Sequence, residues 1–245
     1  MTRRSTARKS LDTDDAGRPI RPALTREFII RTALTILDRD GTDGLSMRKL
    51  GAELGVNPMA VYHHLPNKAA LFDGVVEAVY HELASALDAL PQQLTWREQL
   101  ATFARRLRET LRRHPNVLLV IATRPAYTTP LLTLSDRALG SLHGSGPSHH
   151  DLLVMISALR AYTIGQLLAE VVQPVGGPVA SPDKAKALLD DYPNLARAVA
   201  GGYDPDAQYE LVLRTMLDGF EQRLDGPNAP TAQGTQRPGE SRLVV

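Results

Sequence analysis

The apolar positions of this chain recur three and four residues apart, which predicts helices throughout and an all-α fold. Ile29, Ile30, Ala33, Leu34 and Leu37 form one stripe, opened by Thr25 as a cap and followed after Asp40 by Gly41. Leu50 and Leu54 mark a short helix that Ser46 can cap. Gly55 suits its end, where the chain needs a left-handed residue, and Val56 packs inside the turn. Asn57 and Pro58 start a second short helix, because a missing N–H costs nothing at the first helical position, and Leu65-Pro66 end it. From Asn67 a longer helix follows to Leu87, with Leu71, Val75, Val79 and Leu83 turned inward.

Further along, Thr95-Trp96-Arg97-Glu98 is a capping box opening a helix to about Arg113, its apolar face being Leu100, Phe103, Leu107 and Leu111. Pro115 starts a short apolar helix ended by Arg124-Pro125, and Pro130 starts another to about Leu142. Ser148-His149-His150-Asp151 caps the longest predicted helix, 152–172, which is apolar almost all round and must therefore be covered on all sides. Its small residues Ala158, Ala161 and Gly165 would let another helix come close, which predicts part of a dimer interface. Residues 173–182 read as a Pro/Gly loop, followed by a helical piece to Ala200. Asp204-Pro205 opens the last helix, anchored by Leu211, Met216, Leu217 and Phe220 and ending at Leu224.

The pattern divides the chain of 245 residues into a small domain over 24–72 and a larger one over 73–225, each predicted to hold its own core. The flanks, 1–23 and 226–245, are polar without periodicity and are predicted to be disordered. Arg3, Arg4, Arg8 and Lys9 leave two readings of the first flank, a solvated tail or a basic arm that orders on nucleic acid. The absence of cysteine excludes disulfides, thiolate metal sites and a cysteine nucleophile, and is compatible with a reducing cytoplasm. No membrane span or signal peptide is predicted, the apolar run at 116–122 being too short. Residues 1–72 carry a net charge of +4 and the rest −3. A basic front suits phosphate contact and an acidic back does not.

The two short helices with their tight turn read as a helix-turn-helix, in which the second helix lies in the major groove and the first crosses the backbone. On that reading Pro58, Met59, Ala60, Tyr62, His63 and His64 face DNA, joined by Met47, Arg48 and Lys68. Met59 and Ala60 suit a thymine methyl, whereas Tyr62, His63, His64 and Lys68 offer polar tips. Arg48 has two readings, a bidentate contact to guanine or a phosphate contact that positions without reading. Adjacent His63 and His64 point about 100° apart on a helix and cannot easily chelate one ion, so no metal is predicted.

Leu45-Ser-Met-Arg-Lys-Leu50, Leu54-Gly-Val56, Val61-Tyr62, His64 and Asn67-Lys68-Ala-Ala-Leu71 together resemble the DNA-binding domain of TetR-family transcriptional regulators. The resemblance implies a homodimer on double-stranded operator DNA, with Tyr62, His63, His64 and Lys68 on phosphates and the long and the last helix pairing with their twofold copies. Trp96-Arg-Glu-Gln-Leu100, Thr123-Arg124-Pro125 and Tyr162-Thr-Ile-Gly165 stand in the order found in the tetracycline-repressor branch. Against that branch Val120 stands where a metal-ligating His is held, Phe103 where a drug-contacting Asn is held, and Ala169, beside Glu170, where a supporting Glu is held. The resemblance therefore implies no magnesium-tetracycline complex and no cofactor.

What remains is a wall of Phe103, Leu107, Val120, Thr123, Arg124, Tyr162 and Gln166, suited to a medium-sized, largely apolar effector. The same residues can also be plain core, with Arg124 capping a helix end. An enzyme has little support, since no G-x-S-x-G, phosphate-binding glycine loop or His/carboxylate metal spacing is present. A DNA-binding regulator whose second domain only dimerises or contacts other proteins is the remaining alternative.

Overall fold

The computed structural model describes residues 23–88, 94–124, 128–142, 146–171, 191–202 and 204–225. The predicted terminal flanks, apart from Ala23, and the Pro/Gly loop at 173–182 lie outside these residues. The described residues form ten α-helices and no strand, as the all-α pattern requires: α1 Arg26–Gly44, α2 Met47–Leu54, α3 Pro58–His64, α4 Lys68–Asp88, α5 Trp96–Arg113, α6 Leu118–Thr123, α7 Thr129–Leu142, α8 His149–Val171, α9 Pro193–Val199 and α10 Pro205–Asp225. A 3₁₀ turn, Pro115–Val117, joins α5 to α6.

The caps act where the sequence places them. The Thr25 hydroxyl accepts from the Phe28 amide at 3.1 Å, Ser46 from Lys49 at 3.2 Å, and Asn57 from Met59 at 2.9 Å, each satisfying a donor the first turn leaves open. Asn67 accepts from Ala70 at 2.8 Å at the start of α4. At Thr95 both halves of the capping box are formed, the threonine accepting from Glu98 N and the Glu98 carboxylate from Thr95 N at 2.8 Å. Gly41 bends α1 near its end with φ 71°, and Gly55 closes α2 with φ 68° and ψ 31°, both backbone states that residues with a Cβ rarely adopt. Ser148 accepts from the Asp151 amide at 3.2 Å and donates to its carboxylate, so the predicted cap forms and α8 opens at His149, three residues before the expected start.

The packing differs from the predicted pair of separate cores. One continuous cluster starts at Ile29 in α1, passes through Leu50, Val61, Leu71 and Val79, and continues into Leu107, Leu111, Val117, Leu118, Val120, Ile121, Ile164 and Leu167. The reason is geometric. The 3₁₀ turn and α6 lie against α1 and α4, so the apolar face of the short segment closes the reader's own core. A second cluster joins α5, α7, α8 and α10 through Leu100, Ala104, Leu142, Leu152, Met155, Leu159, Tyr209, Leu213 and Leu217.

Tyr209 is the polar centre of that second cluster. Its hydroxyl donates to Ala104 O at 2.8 Å and shares a 2.9 Å bond with Thr163, while its ring stacks on Tyr162 at 5.4 Å. The Arg108 guanidinium lies 4.3 Å over the ring and binds Glu170 at 3.0 Å and Asp206 at 2.7 Å. These bonds fasten α10 to α5 and α8. Among the described residues α8 alone is long and apolar enough to cross a membrane, with a mean hydropathy of 1.6. Its Leu152, Met155, Leu159, Ile164 and Leu167 are buried in the two clusters, but Val154, Ala161 and Gly165 are exposed, so the single chain covers one side of this helix and not all sides as expected.

Candidate functional site

The two short helices present one exposed face. Met59 is 63% exposed and Tyr62 40%, and Arg48, His63, His64 and Lys68 are also exposed, with Pro58 and Ala60 half-buried at the start of α3. Val61 and Leu65 point the opposite way into the core, so the period of the helix separates readers from anchors. Gly51 permits the tight turn between α2 and α3, since a Cβ there would stand 3.1 Å from Val56 O.

One residue of the predicted face is misplaced. Met47 is buried in the first core cluster, because at the first position of α2 it shares the inward face with Leu50 and Gly51. It braces α2 and does not reach outward. Beside the face, Lys49 binds Asp40 at 2.9 Å and Arg39 binds both Asp40 and Glu53. Arg39 first, then Lys49, hold the Asp40 carboxyl down to about 2. Arg48 lies outside this network and extends from the first turn of α2.

The reader is fastened to the rest of the chain at several points. Arg26 in α1 binds the buried Glu77 of α4 at 2.9 Å. Gly74 lets the two helices cross closely, since a Cβ there would come within 2.5 Å of Ile30 Cδ1. At the end of α6, Arg124 donates to Asp73 at 2.7 Å and to Ala69 O at 3.0 Å, and its guanidinium sits 5.9 Å from the Phe72 ring. All three partners lie in the first turns of α4, next to Lys68.

The predicted effector wall is only partly assembled. Leu107 and Val120 are buried in the first cluster with Phe103 packed against it, and Tyr162 borders the second. Thr123 is exposed and donates back to Leu119 O at 2.7 Å, as a hydroxyl within a helix does. Arg124 is committed to α4, where the Asp73 carboxylate draws it, so its predicted place in the wall is replaced by a link between α6 and α4. Gln166 donates to Pro205 O at 3.2 Å, and its Oε1 is buried without a partner.

Two polar groups that the sequence reading missed share that condition: Tyr80 Oη on α4 and Thr128 Oγ1 at the start of α7 are buried without hydrogen bonds. Tyr80 could have been found as the one polar tip among Val76, Val79 and Leu83. Buried groups with unmet hydrogen-bonding capacity call for an explanation, and a ligand between helices is one. A polar depression of about 260 Å³, lined by Arg105, Arg108, Glu109, Arg112, Asp206, Tyr209 and Glu210, lies next to Gln166, which shares Pro205 O with Arg108, and its charges are neutralised by their own ion pairs.

Two of the positions at which the chain departs from the tetracycline branch are placed by the structure. Val120 offers no donor and is buried, and Glu170 beside Ala169 binds Arg108 and Arg112. Among the described residues no group of three metal-capable side chains gathers.

A helix-turn-helix held on an all-helical domain defines a DNA-binding transcriptional regulator. The family model "Bacterial regulatory proteins, tetR family" matches residues 29–75, and "Tetracyclin repressor-like, C-terminal domain" matches residues 89–224. The chain belongs to the TetR family, whose members are regulators and not enzymes. An HTH-type transcriptional regulator of Saccharopolyspora erythraea is 31% identical over 205 residues, covering 82% of this chain and 86% of that protein. The class A tetracycline repressor from transposon 1721 in Escherichia coli is 32% identical over 200 residues, covering 80% and 89%. The crystal structure of the Streptomyces coelicolor TetR family protein ActR in complex with (S)-DNPA matches with a TM-score of 0.67 at 25% identity, covering 82% of this chain and 98% of that one.

Proposed function

We propose that the chain is a ligand-responsive repressor that binds a palindromic operator as a homodimer and is released by a small, largely apolar effector. The observation that carries this reading is the continuous core between reader and helical domain: any rearrangement around α6 must disturb the packing that sets the angle of α3. The unpaired buried groups Tyr80 Oη, Thr128 Oγ1 and Gln166 Oε1, on elements that pack through α7, suit the few fixed hydrogen bonds of an otherwise apolar effector site. Related proteins support the reading, one being named a tetracycline repressor and one having been crystallised with a small molecule. The residues toward metal do not fit, so the effector is taken without magnesium, and the protein acts in the cytoplasm where its DNA lies.

Dimerisation would use the outer side of α8 and α10. Val154 is 49% and Leu211 60% exposed, and Ala161 and Gly165 lie open beside them. In the dimer the two α3 helices would stand ~34 Å apart, one DNA turn. To lower operator affinity a hundredfold, an effector must prefer the DNA-incompetent state by ~2.7 kcal/mol.

The test is binding of the dimer to DNA upstream of its own coding region at two salt concentrations. Tight, salt-sensitive binding to a palindrome supports the reading; weak binding indifferent to sequence removes it. A small-molecule screen by thermal shift then separates a ligand-responsive protein from one that only dimerises, since a ligand bound to the folded state alone must raise stability.

A further inference from the structure

We propose that His114 is a positioning residue for the reader: as the imidazolium it bolts α1 and α4 to the start of the α6 segment, and the bolt loosens when the ring gives up a proton. The inference rests on the reading that a signal reaches α3 through α1, α4 and α6. His114 ends α5 and is 9% exposed. Its Nδ1 lies 2.8 Å from Asp38 Oδ2 on α1, and its Nε2 lies 3.2 Å from Glu82 Oε2 on α4. A neutral imidazole has one N–H and would turn a lone pair toward one of these carboxylates; only the doubly protonated ring donates to both.

Among the described residues the Asp38 carboxylate has no other ion pair. The charged groups facing the ring are Asp38 from α1 and Glu82 from α4, with Arg113 on its own helix reaching Glu82 at 3.6 Å. Asp38 Oδ1 is buried without a partner, so this carboxylate is served by the histidine. Asn116 adds a bond to the Asp38 carbonyl at 2.9 Å, on the main chain only. Pro115 follows at once and leads into α6, whose far end Arg124 ties to Asp73. The segment is thus pinned to the reader at both ends.

The test uses the full chain. Ring nitrogen NMR, assigned by the loss of a signal in His114→Gln, reads the protonation state, and amide hydrogen exchange reads the attachment. The expected result is two ring N–H groups in the acidic form. Amides at 36–39 and 117–118 should exchange about tenfold faster, after correction for base catalysis, once the ring is neutral. His114→Gln should exchange at the faster rate at every pH. One ring N–H throughout, or a corrected exchange rate that ignores the titration, overturns the proposal, and the wild-type titration decides it even if the variant folds poorly. Absence of DNA binding at every pH would count against the repressor reading alone, because neither readout involves DNA.

Discussion

At the scale of single residues, the chemistry of each reader side chain sets what its loss should do. Arg48 is exposed at the start of α2 and outside the Arg39–Asp40–Lys49 network, which leaves its guanidinium available for a bidentate contact. Arg48→Ala is expected to weaken operator binding by about 1–3 kcal/mol and to relax selectivity at one base pair, measured by competition among single-base operator variants. Lys68→Ala should instead weaken all sequences alike and lower the salt slope by about one, since a phosphate contact carries no base information. Equal loss of selectivity in both would refute this division. Tyr209 gives a prediction free of DNA. Burial pushes its phenol up to about 12 from an ordinary 10.0. The folded chain therefore holds this proton more tightly than the unfolded one. That stabilisation is full below about pH 10 and is lost as the pH rises through about 12, on the order of 3 kcal/mol in all. Tyr209→Phe should cost about 1–2 kcal/mol at neutral pH, because Thr163 keeps its bond to Leu159 O, and should remove this alkaline loss, read by urea denaturation at several pH values.

Between elements, the α1–α4 crossing is the tightest joint. Gly74→Ala adds a methyl within 2.5 Å of Ile30 Cδ1, and Ile30 is buried. Overpacking of this kind costs about 1–3 kcal/mol, against a helix gain of only ~0.5–1 kcal/mol for replacing glycine, so the net effect is destabilising. Ile30→Val removes Cδ1 but leaves a Cγ carbon, which in the isoleucine would stand 2.8 Å from the new Cβ, so the double variant should be more stable than the sum of the singles while keeping part of the strain, measured by thermal denaturation. The elements were legible because each signal is local. A cap and the donor it serves lie within three residues, and Leu71, Val75, Val79 and Leu83 share a face by the helix period alone. Contacts across the chain left no such trace. Asp38 meets His114 across 76 residues and Arg108 meets Asp206 across 98. Nothing near either residue announces its partner. Family position puts Arg124 in the effector wall or at a helix end, and the Asp73 carboxylate, invisible in a local window, sends it from the end of α6 to α4. Met47 and Arg48 are neighbours in one motif, but adjacent helical positions diverge by about 100°, so one is buried and the other exposed.

For the whole molecule, reader and helical domain share one core, so on the proposed function folding and signalling are the same packing problem, and the apolar surface left over is the place expected for a second copy. The exposed side of α8 and α10 has Val154 and Leu211 with Ala161, Gly165 and Gly219 open around them, and a Cβ at Gly165 or Gly219 would meet nothing within 4 Å in the single chain. An apolar, small-residue face of this form suits close helix approach in a dimer. Since Leu211 makes little of the monomer's core, Leu211→Glu should leave helicity and the packing around Leu213 and Leu217 intact. In a twofold dimer the same substitution places two carboxylates in an apolar interface, which should raise the dimer dissociation constant severalfold or more, seen by sedimentation. Because one reader alone contacts half an operator, separation of the copies should cost about 10²–10⁴ in apparent operator affinity through lost effective concentration, with each half-site contact unchanged. A Leu211→Glu chain that remains dimeric and binds DNA as before would place the interface on another surface. A chain that loses its helicity would show that Leu211 belongs to the fold after all, and Ala161→Glu, at another open position, would then repeat the test.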